Sequence, residues 1–146
     1  MELYEYLDHP ADVIVHSVGR TFSAALEQAV LGMFNFMTPL EDIDENGGET
    51  VDVDIEGADE KDTVYHLMDE FLFQFCTELI TCKVVKIISE EHKQTGEIRI
   101  KAHGQGERFV RGKHEQGTEI KAITMHNLRI ERPAPDRVDI FVTLDI

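Results

Sequence analysis

Two regions of the chain repeat apolar side chains at steps of three and four, the spacing that places them on one face of an α-helix. The first runs from about Thr21 to Met37 and is punctuated by Gly19 before it and Pro39 after it. The second runs from about residue 60 to residue 81, and the acidic residues at its start suit the positive end of a helix. We therefore predict two amphipathic helices.

Three apolar residues of the second region fall outside its main stripe. They are Phe73, Cys76 and Ile80. We expect this helix to be central in the fold and covered on more than one side.

The remaining apolar runs alternate with polar residues at a period of two, which is typical of strands with one wet face. The clearest is 97–103, where Ile98, Ile100 and Ala102 alternate with charged residues and His103. Similar runs lie near 3–7, 12–18, 49–56, 83–90, 120–130 and 137–144. The pattern predicts an α+β fold in which two helices pack on a mainly antiparallel sheet.

Two glycine-containing segments read as turns. Gly104-Gln105-Gly106 lies between strand-like runs and not between a strand and a helix, so it lacks the setting of a nucleotide-binding loop and predicts a hairpin. Glu45-Asn46-Gly47-Gly48 is a second predicted turn. No phosphate-cradling loop and no recognisable Ser or Cys nucleophile motif is present in the sequence.

Length and composition favour one domain over residues 1–146. The chain has 146 residues, of which 42% are hydrophobic, enough for one core and too few for two. Its start lacks the features of a secretory signal, and no apolar run approaches the roughly 20 residues that span a bilayer. We expect a soluble, intracellular and cytoplasmic protein whose only cysteines, Cys76 and Cys82, are reduced thiols.

Negative charge is concentrated in residues 41–62. This segment holds eleven acidic residues against one lysine, so it carries ten of the fifteen net negative charges. Such a surface repels a phosphate backbone and disfavours direct RNA binding. It is suited to attract a basic protein partner, although a solvated loop that only aids solubility is the alternative.

Carboxylates near both ends of the chain could bind a hard cation. Asp8 and Asp12 lie four residues apart, Asp145 is the penultimate residue, and Ile146 adds main-chain oxygens. If the strand near 12–18 pairs antiparallel with the strand near 137–144, Asp12 comes beside Asp145 and Ile146. Oxygen ligands suit Ca²⁺, Mg²⁺ and Mn²⁺, whereas the alternative is a set of strand-end carboxylates in water.

Three cationic or titratable side chains are further candidates. His9 and His126 could ligate a metal or move protons, but His126 shares strand parity with apolar residues and could be a packed core histidine. Lys121 shares parity with Ile123 and needs a carboxylate such as Asp8 or Asp12 if it is buried. Otherwise it is a solvent-facing lysine at the start of a strand.

Three segments together resemble the archease family. They are Asp8-His9-Pro10-Ala11-Asp12, then Lys121-Ala122-Ile123-Thr124-Met125-His126, and finally the closing Asp145-Ile146. The resemblance covers nearly all of residues 1–146. It departs at Pro10, where threonine is usual, and at Met125, where an aromatic residue is common.

The resemblance implies an archease-like fold and an accessory protein that is not itself an enzyme. Archeases assist the RtcB-type RNA ligase of tRNA splicing by promoting guanylylation of a ligase histidine and multiple turnover, and possibly by broadening its nucleotide use. Their metal site is built from residues matching Asp12, Asp145 and Ile146, with Ca²⁺ expected and Mg²⁺ or Mn²⁺ as alternatives. It also implies that Lys121 acts in activation and that tRNA is met only through the ligase.

Two other functions stay open at this point. A metal-dependent phosphoester hydrolase using Asp8, Asp12 and Asp145 would turn over substrate without a partner, and a general chaperone would suppress aggregation of unrelated proteins. The sequence leaves the native ion, the mechanism of activation and the oligomeric state open.

Overall fold

The structure is a computed structural model that describes residues 1–9 and 12–146, apart from the side chains of Asp8 and His9. Its elements in chain order are β1 (Leu3–His9), β2 (Asp12–Gly19), α1 (Phe22–Met37), a short 3-10 helix (Leu40–Asp42), β3 (Glu49–Gly57), α2 (Glu60–Glu78), β4 (Ile80–His92), β5 (Ile98–Arg108), β6 (Ala122–Ile123), β7 (Arg129–Ala134) and β8 (Arg137–Asp145).

Both helices begin where a polar side chain caps their first turn. The hydroxyl of Thr21 accepts a hydrogen bond from the Ala24 N–H at 3.0 Å, and the Asp59 carboxylate accepts one from the Asp62 N–H at 2.8 Å. Each bond satisfies one of the amide groups that a helix start leaves unpaired. The helix predicted near residues 60–81 ends earlier, because Leu79 adopts a left-handed backbone conformation with φ 59° and β4 begins at once.

The strands form two separate antiparallel sheets. In the larger, β1 pairs with β2, β2 pairs with β8, and both β6 and β7 pair with β8. In the smaller, β5 lies between β3 and β4. Helix α1 contacts strands of both sheets, and α2 contacts mainly β3 and β5 of the smaller one. The predicted α+β class with two helices on antiparallel strands is confirmed, although the strands divide into two sheets.

Buried apolar side chains from both helices and both sheets form one continuous core. Its largest fully buried members include Phe34, Met33 and Leu26 of α1, Phe71 and Leu67 of α2, and Ile100, Ile140 and Leu144 of the sheets. The alternating pattern of β8, with Val138, Ile140, Val142 and Leu144 facing inwards, orients the last strand. The opposite face of β8 therefore carries the polar residues that concern the site.

Three local predictions were wrong. The segment 120–130 is not one strand, because β6 covers only Ala122–Ile123 and the chain then turns through Asn127 at φ 55°. Gly104 and Gly106 lie inside β5 and not in a hairpin. Phe73 is 57% exposed and Cys76 is also exposed, so α2 is not covered on the side that they form.

The two glycines of β5 allow β4 and α2 to approach it closely. A Cβ on Gly106 would lie 1.9 Å from the carbonyl oxygen of Thr81, and one on Gly104 would lie 2.6 Å from the sulfur of Cys82. Both distances are far inside van der Waals contact. The spacing that suggested a turn thus marks a strand that tolerates no side chain at these positions.

Candidate metal centre at the strand ends

Asp12 and Asp145 are direct partners in the pairing of β2 with β8. The next pair along, Val13 with Leu144, is buried in the core, so the aspartates lie on the opposite face of the sheet. Residues directly opposite in an antiparallel pair have Cβ atoms only about 4.5–5.5 Å apart. The pairing that was assumed for the two segments is found in the structure, and it sets two carboxylates side by side.

A third strand closes this end of the sheet. Ala122 of β6 is the partner of Asp145 on its other side, and the Lys121 N–H donates to the Asp145 carbonyl at 2.7 Å. Ile146 is half-buried and packs against the core. These contacts fix the main chain around Asp145 while leaving its side chain exposed.

Asp8 and His9 belong to the same end of the sheet by register. His9 is the partner of Asp12, and Asp8 is the partner of Val13, in the pairing of β1 with β2. Their side chains lie outside the described part of the protein, as do Pro10 and Ala11. The roles expected for Asp8 and His9 stay predictions.

His126 is exposed, so the interpretation of it as a packed core histidine was wrong. The chain leaves the sheet after Thr124, whose N–H and hydroxyl both donate to the Thr143 carbonyl, and His126 follows in the turn. His126 lies three residues beyond the end of β6, so the alternation of a strand no longer decides which way its side chain points. Lys121 is also exposed, which agrees with a solvent-facing lysine beside the two aspartates.

The donors at these strand ends suit a hard cation. Two like charges placed directly opposite destabilise a sheet, and a bound cation would offset that repulsion. Among the residues that the structure describes, no three His, Cys, Asp or Glu side chains are grouped to hold a metal. A cation here would therefore take the carboxylates of Asp12 and Asp145 together with main-chain oxygen, with Ile146 as the nearest source.

A buried histidine on the same face was missed by the sequence analysis. His16 lies between two carboxylates: its Nδ1 is 2.5 Å from a carboxylate oxygen of Glu5, and its Nε2 is 3.3 Å from one of Asp139. Its ring stacks on the ring of Phe141 at a centroid distance of 4.1 Å. The Arg129 guanidinium covers Phe141 at 4.1 Å. The alternation of β2, which puts His16 on the same face as Asp12, was the available signal. This network connects β1, β2, β7 and β8 four residues along β2 from Asp12.

Part of the acidic segment 41–62 is paired with bases on neighbouring strands and loops. Asp52 and Asp54 of β3 pair with His103 and Arg99 of β5 at 2.7 Å each, and Glu56 pairs with Lys93 at 2.9 Å. The three acids alternate along one wet face of β3. Their partners are Arg99 and His103 of β5 and Lys93, which follows the end of β4. The segment is therefore a ladder of ion pairs over most of β3, and its attraction for a basic partner is weaker than its charge count suggests.

Within the described residues, both helices are too short or too polar to cross a lipid bilayer.

Comparisons with known proteins agree on one family. A model of the archease protein family (MTH1598/TM1083) matches residues 4–146. The chain is 42% identical over 144 residues to an archease-like protein of Dictyostelium discoideum, covering 98% of this chain and 93% of that one. It is 40% identical to an archease of Danio rerio, with 98% and 85% covered, and 29% identical over 132 residues to an archease of Pyrococcus furiosus.

A solved structure supports the same assignment. The solution structure of Methanobacterium thermoautotrophicum protein 1598 matches with a TM-score of 0.82 and 28% identity, covering 98% of each chain. Its likeness extends over both sheets and both helices, and the family match includes both aspartates of the strand ends. This chain belongs to the archease family.

Proposed function

We propose that this protein is an accessory activator of an RtcB-type RNA ligase in tRNA splicing and acts through a divalent cation held at the ends of β2 and β8. Family membership supports the accessory role, since archeases assist that ligase. The observation that carries the proposal is the direct opposition of Asp12 and Asp145. These two aspartates are 133 residues apart in the sequence, and the fold places their carboxylates next to each other.

The ion is held by the carboxylates of Asp12 and Asp145 and by main-chain oxygen of Ile146. Ca²⁺ is the expected ion, because it accepts a flexible set of oxygen donors that includes main-chain carbonyls. Mg²⁺ and Mn²⁺ are the alternatives. When bound, the cation would supply a positive centre where β2 and β8 meet at one end of the larger sheet. The protein itself fixes the donors through the core pairs Val13 with Leu144 and Ile123 with Leu144.

Lys121 and His126 lie where a partner protein can reach them. Both are exposed, and Lys121 directly precedes the strand that pairs with Asp145. A cationic side chain next to a metal-bound carboxylate pair is suited to contact an anionic group of the ligase or of its nucleotide. Lys121 is the candidate for activation, and His126 is a secondary one.

The partner is the ligase protein, and tRNA is met only through it. The net charge of −15 opposes binding to a phosphate backbone. Two of the bases on β5, Arg99 and His103, are paired with the acids Asp54 and Asp52 of β3. A gel shift at physiological salt should therefore detect no tight complex between the isolated protein and tRNA.

The direct test mixes this protein with its cognate ligase, GTP, metal and cleaved tRNA halves. The proposal predicts more guanylylated ligase and more than one joined RNA per ligase only when this protein is present. This chain itself should take up no label from GTP. Unchanged ligase turnover, or stable GMP on this chain, would contradict the proposal.

A further inference from the structure

An open apolar pocket of about 280 Å³ lies where the C-terminal ends of α1 and α2 meet the loop that follows β5. Its apolar walls include Met37, Phe75, Leu79, Phe109 and Ile120. Leu79 of this wall is 42% exposed. The pocket belongs neither to the strand-end aspartates nor to the ion-pair ladder of the smaller sheet.

Main-chain hydrogen bonds hold the pocket open. The Phe109 N–H donates to the Leu79 carbonyl at 2.7 Å, and the Gly117 N–H donates to the Met37 carbonyl at 2.7 Å. A Cβ on Gly117 would lie 2.5 Å from the Phe36 carbonyl oxygen, so this close approach requires glycine. The walls are fixed by the fold, and an occupant need not order them.

One polar group of the pocket wall has no partner among the described residues. The hydroxyl of Thr38 is buried, with the residue 1% exposed, and no hydrogen bond reaches it. A buried hydroxyl without a partner is costly. Because the oxygen itself is enclosed, an occupant would reach it only after the pocket wall shifts.

The charged rim consists of Arg111 and Glu119. Three bases fall at 108, 111 and 113, but Arg108 donates to the Glu78 carbonyl and Lys113 pairs with Glu107. Within the described structure, the Arg111 guanidinium makes no ion pair. It is the cation that an incoming carboxylate would meet.

Size and chemistry select a polypeptide as the occupant. Small-molecule sites usually measure about 300–1,000 Å³, so this pocket is at or below their lower limit and fits one large side chain with its adjoining backbone. An amide N–H group of a peptide can donate to Glu119, whereas a carboxylate can accept from Arg111. Nucleic acid is disfavoured because the walls are apolar and the chain is acidic.

We propose that this pocket docks a segment of a partner protein that inserts one Leu, Met or Phe side chain and places a neighbouring carboxylate on Arg111. The proposal rests on the proposed function for the identity of the partner as the ligase. Ile120 of the pocket wall directly precedes Lys121, whose N–H bonds to Asp145. A docked segment would thus hold the partner beside the strand-end aspartates.

Cys76 provides a reporter inside the pocket. It lines the pocket and is exposed, whereas Cys82 is buried, and burial raises the pKa of its thiol to about 12. A thiol reagent should therefore label Cys76 alone in the folded protein. Adding saturating ligase should slow alkylation of Cys76 by about tenfold or more, because a docked side chain excludes the reagent.

Two matched pairs of variants test the same contact by ligase affinity. Cys76→Trp fills the pocket, whereas Phe73→Trp puts the same side chain on an exposed position of α2 outside it. Arg111→Glu reverses the rim charge, and Arg20→Glu changes the net charge equally at the far end of α1. We expect Cys76→Trp and Arg111→Glu to weaken binding by about tenfold or more and both controls to change it less than about twofold.

The outcomes separate the docking site from the proposed function. A ligase complex that leaves Cys76 as reactive as in the free protein, with each variant equal to its control, overturns the docking proposal alone. Failure of the wild-type protein to bind the ligase contradicts the proposed function and overturns the docking proposal with it. Asp145→Asn should retain protection of Cys76 while losing activation. Loss of protection in that variant would also count against a separate docking site.

Discussion

Asp12 and Asp145 face each other across β2 and β8, one pair outside the buried Val13 and Leu144. The hydrophobic pairs behind them set the register, because a slip by one residue would turn every core side chain of β8 to the outside. The carboxylate pair is thus a consequence of how the core is packed. Its position does not depend on loop conformation.

Divalent cation should stabilise the folded protein through this pair. At a free ion concentration of about 100 times Kd, binding adds about 2.7 kcal/mol, or about 5–10 °C in Tm for a chain of this size. Asp12→Asn and Asp145→Asn should lose that shift, whereas Glu45→Gln, an exposed acid elsewhere, should keep it. Differential scanning calorimetry with and without Ca²⁺ measures it, and equal shifts in all four proteins would argue against the site.

Glu107 should make the stability fall in acid. Its carboxylate accepts hydrogen bonds from Lys113, from His114 and from the Asp44 N–H, which lower its pKa from 4.5 to about 2. Because the folded-state pKa is the lower one, this stabilisation is complete above pH 4.5 and is lost as the pH falls towards 2.

Glu107→Gln removes that dependence, since the amide does not titrate. The variant should be less stable than wild type at pH 6, and the gap between them should narrow as the pH falls through this window. Urea unfolding at a series of pH values checks this, with Glu45→Gln as a control that should follow the wild type. A gap that stays constant down to pH 2 would show that the ionised carboxylate is not the stabilising group.

Gly106→Ala should be among the most damaging single-methyl additions in the chain. The new Cβ would lie 1.9 Å from the Thr81 carbonyl oxygen, so β4 must move away from β5 at a cost of about 3 kcal/mol. Gly48→Ala is the matched control, because its Cβ would meet nothing within 4 Å and only its φ of 87° is unfavourable. That control should lose about 1 kcal/mol in chemical denaturation. Equal losses would mean that β4 adjusts freely.

Leu79→Gly should leave the stability nearly unchanged although a leucine is removed. Leu79 holds φ 59°, which costs a non-glycine residue roughly 1–2 kcal/mol, and glycine adopts it without strain. The lost burial of a side chain that is 42% exposed is of similar size. Urea unfolding should therefore give a difference below about 1 kcal/mol, whereas a loss of several kcal/mol would show that Leu79 is a core residue.

The sequence predicted those parts of the fold in which the apolar residues that repeat along a segment are also the residues that the fold buries. The two helices followed from apolar spacing alone, whereas the pairing of β2 with β8 had to be assumed and is found in the structure. It failed at Gly104 and Gly106, whose role depends on how closely Thr81 and Cys82 approach from a distant strand. It also failed at His126, because strand parity carries no information once Thr124 has turned the chain out of the sheet.

The candidate site was predictable only in part for the same reason. Asp12 and Asp145 could be brought together by assuming one strand pairing. Predicting the contacts of His16 with Glu5 and Asp139 would have required the register of three strands. Predicting the pocket beside Cys76 would have required the positions of two helix ends and a loop. The alternation within single segments does not specify which strands or loops become neighbours.

The measurement that tests the central claim most directly is guanylylation of the cognate ligase with GTP and Ca²⁺, Mg²⁺ or Mn²⁺ in the presence of wild-type protein, Asp12→Asn or Asp145→Asn. Circular dichroism establishes that each variant is folded, and calorimetry measures its cation affinity. The account predicts that the wild type increases the amount of guanylylated ligase and that both variants lose cation binding and this stimulation together. Folded variants that retain both cation affinity and full stimulation would contradict it.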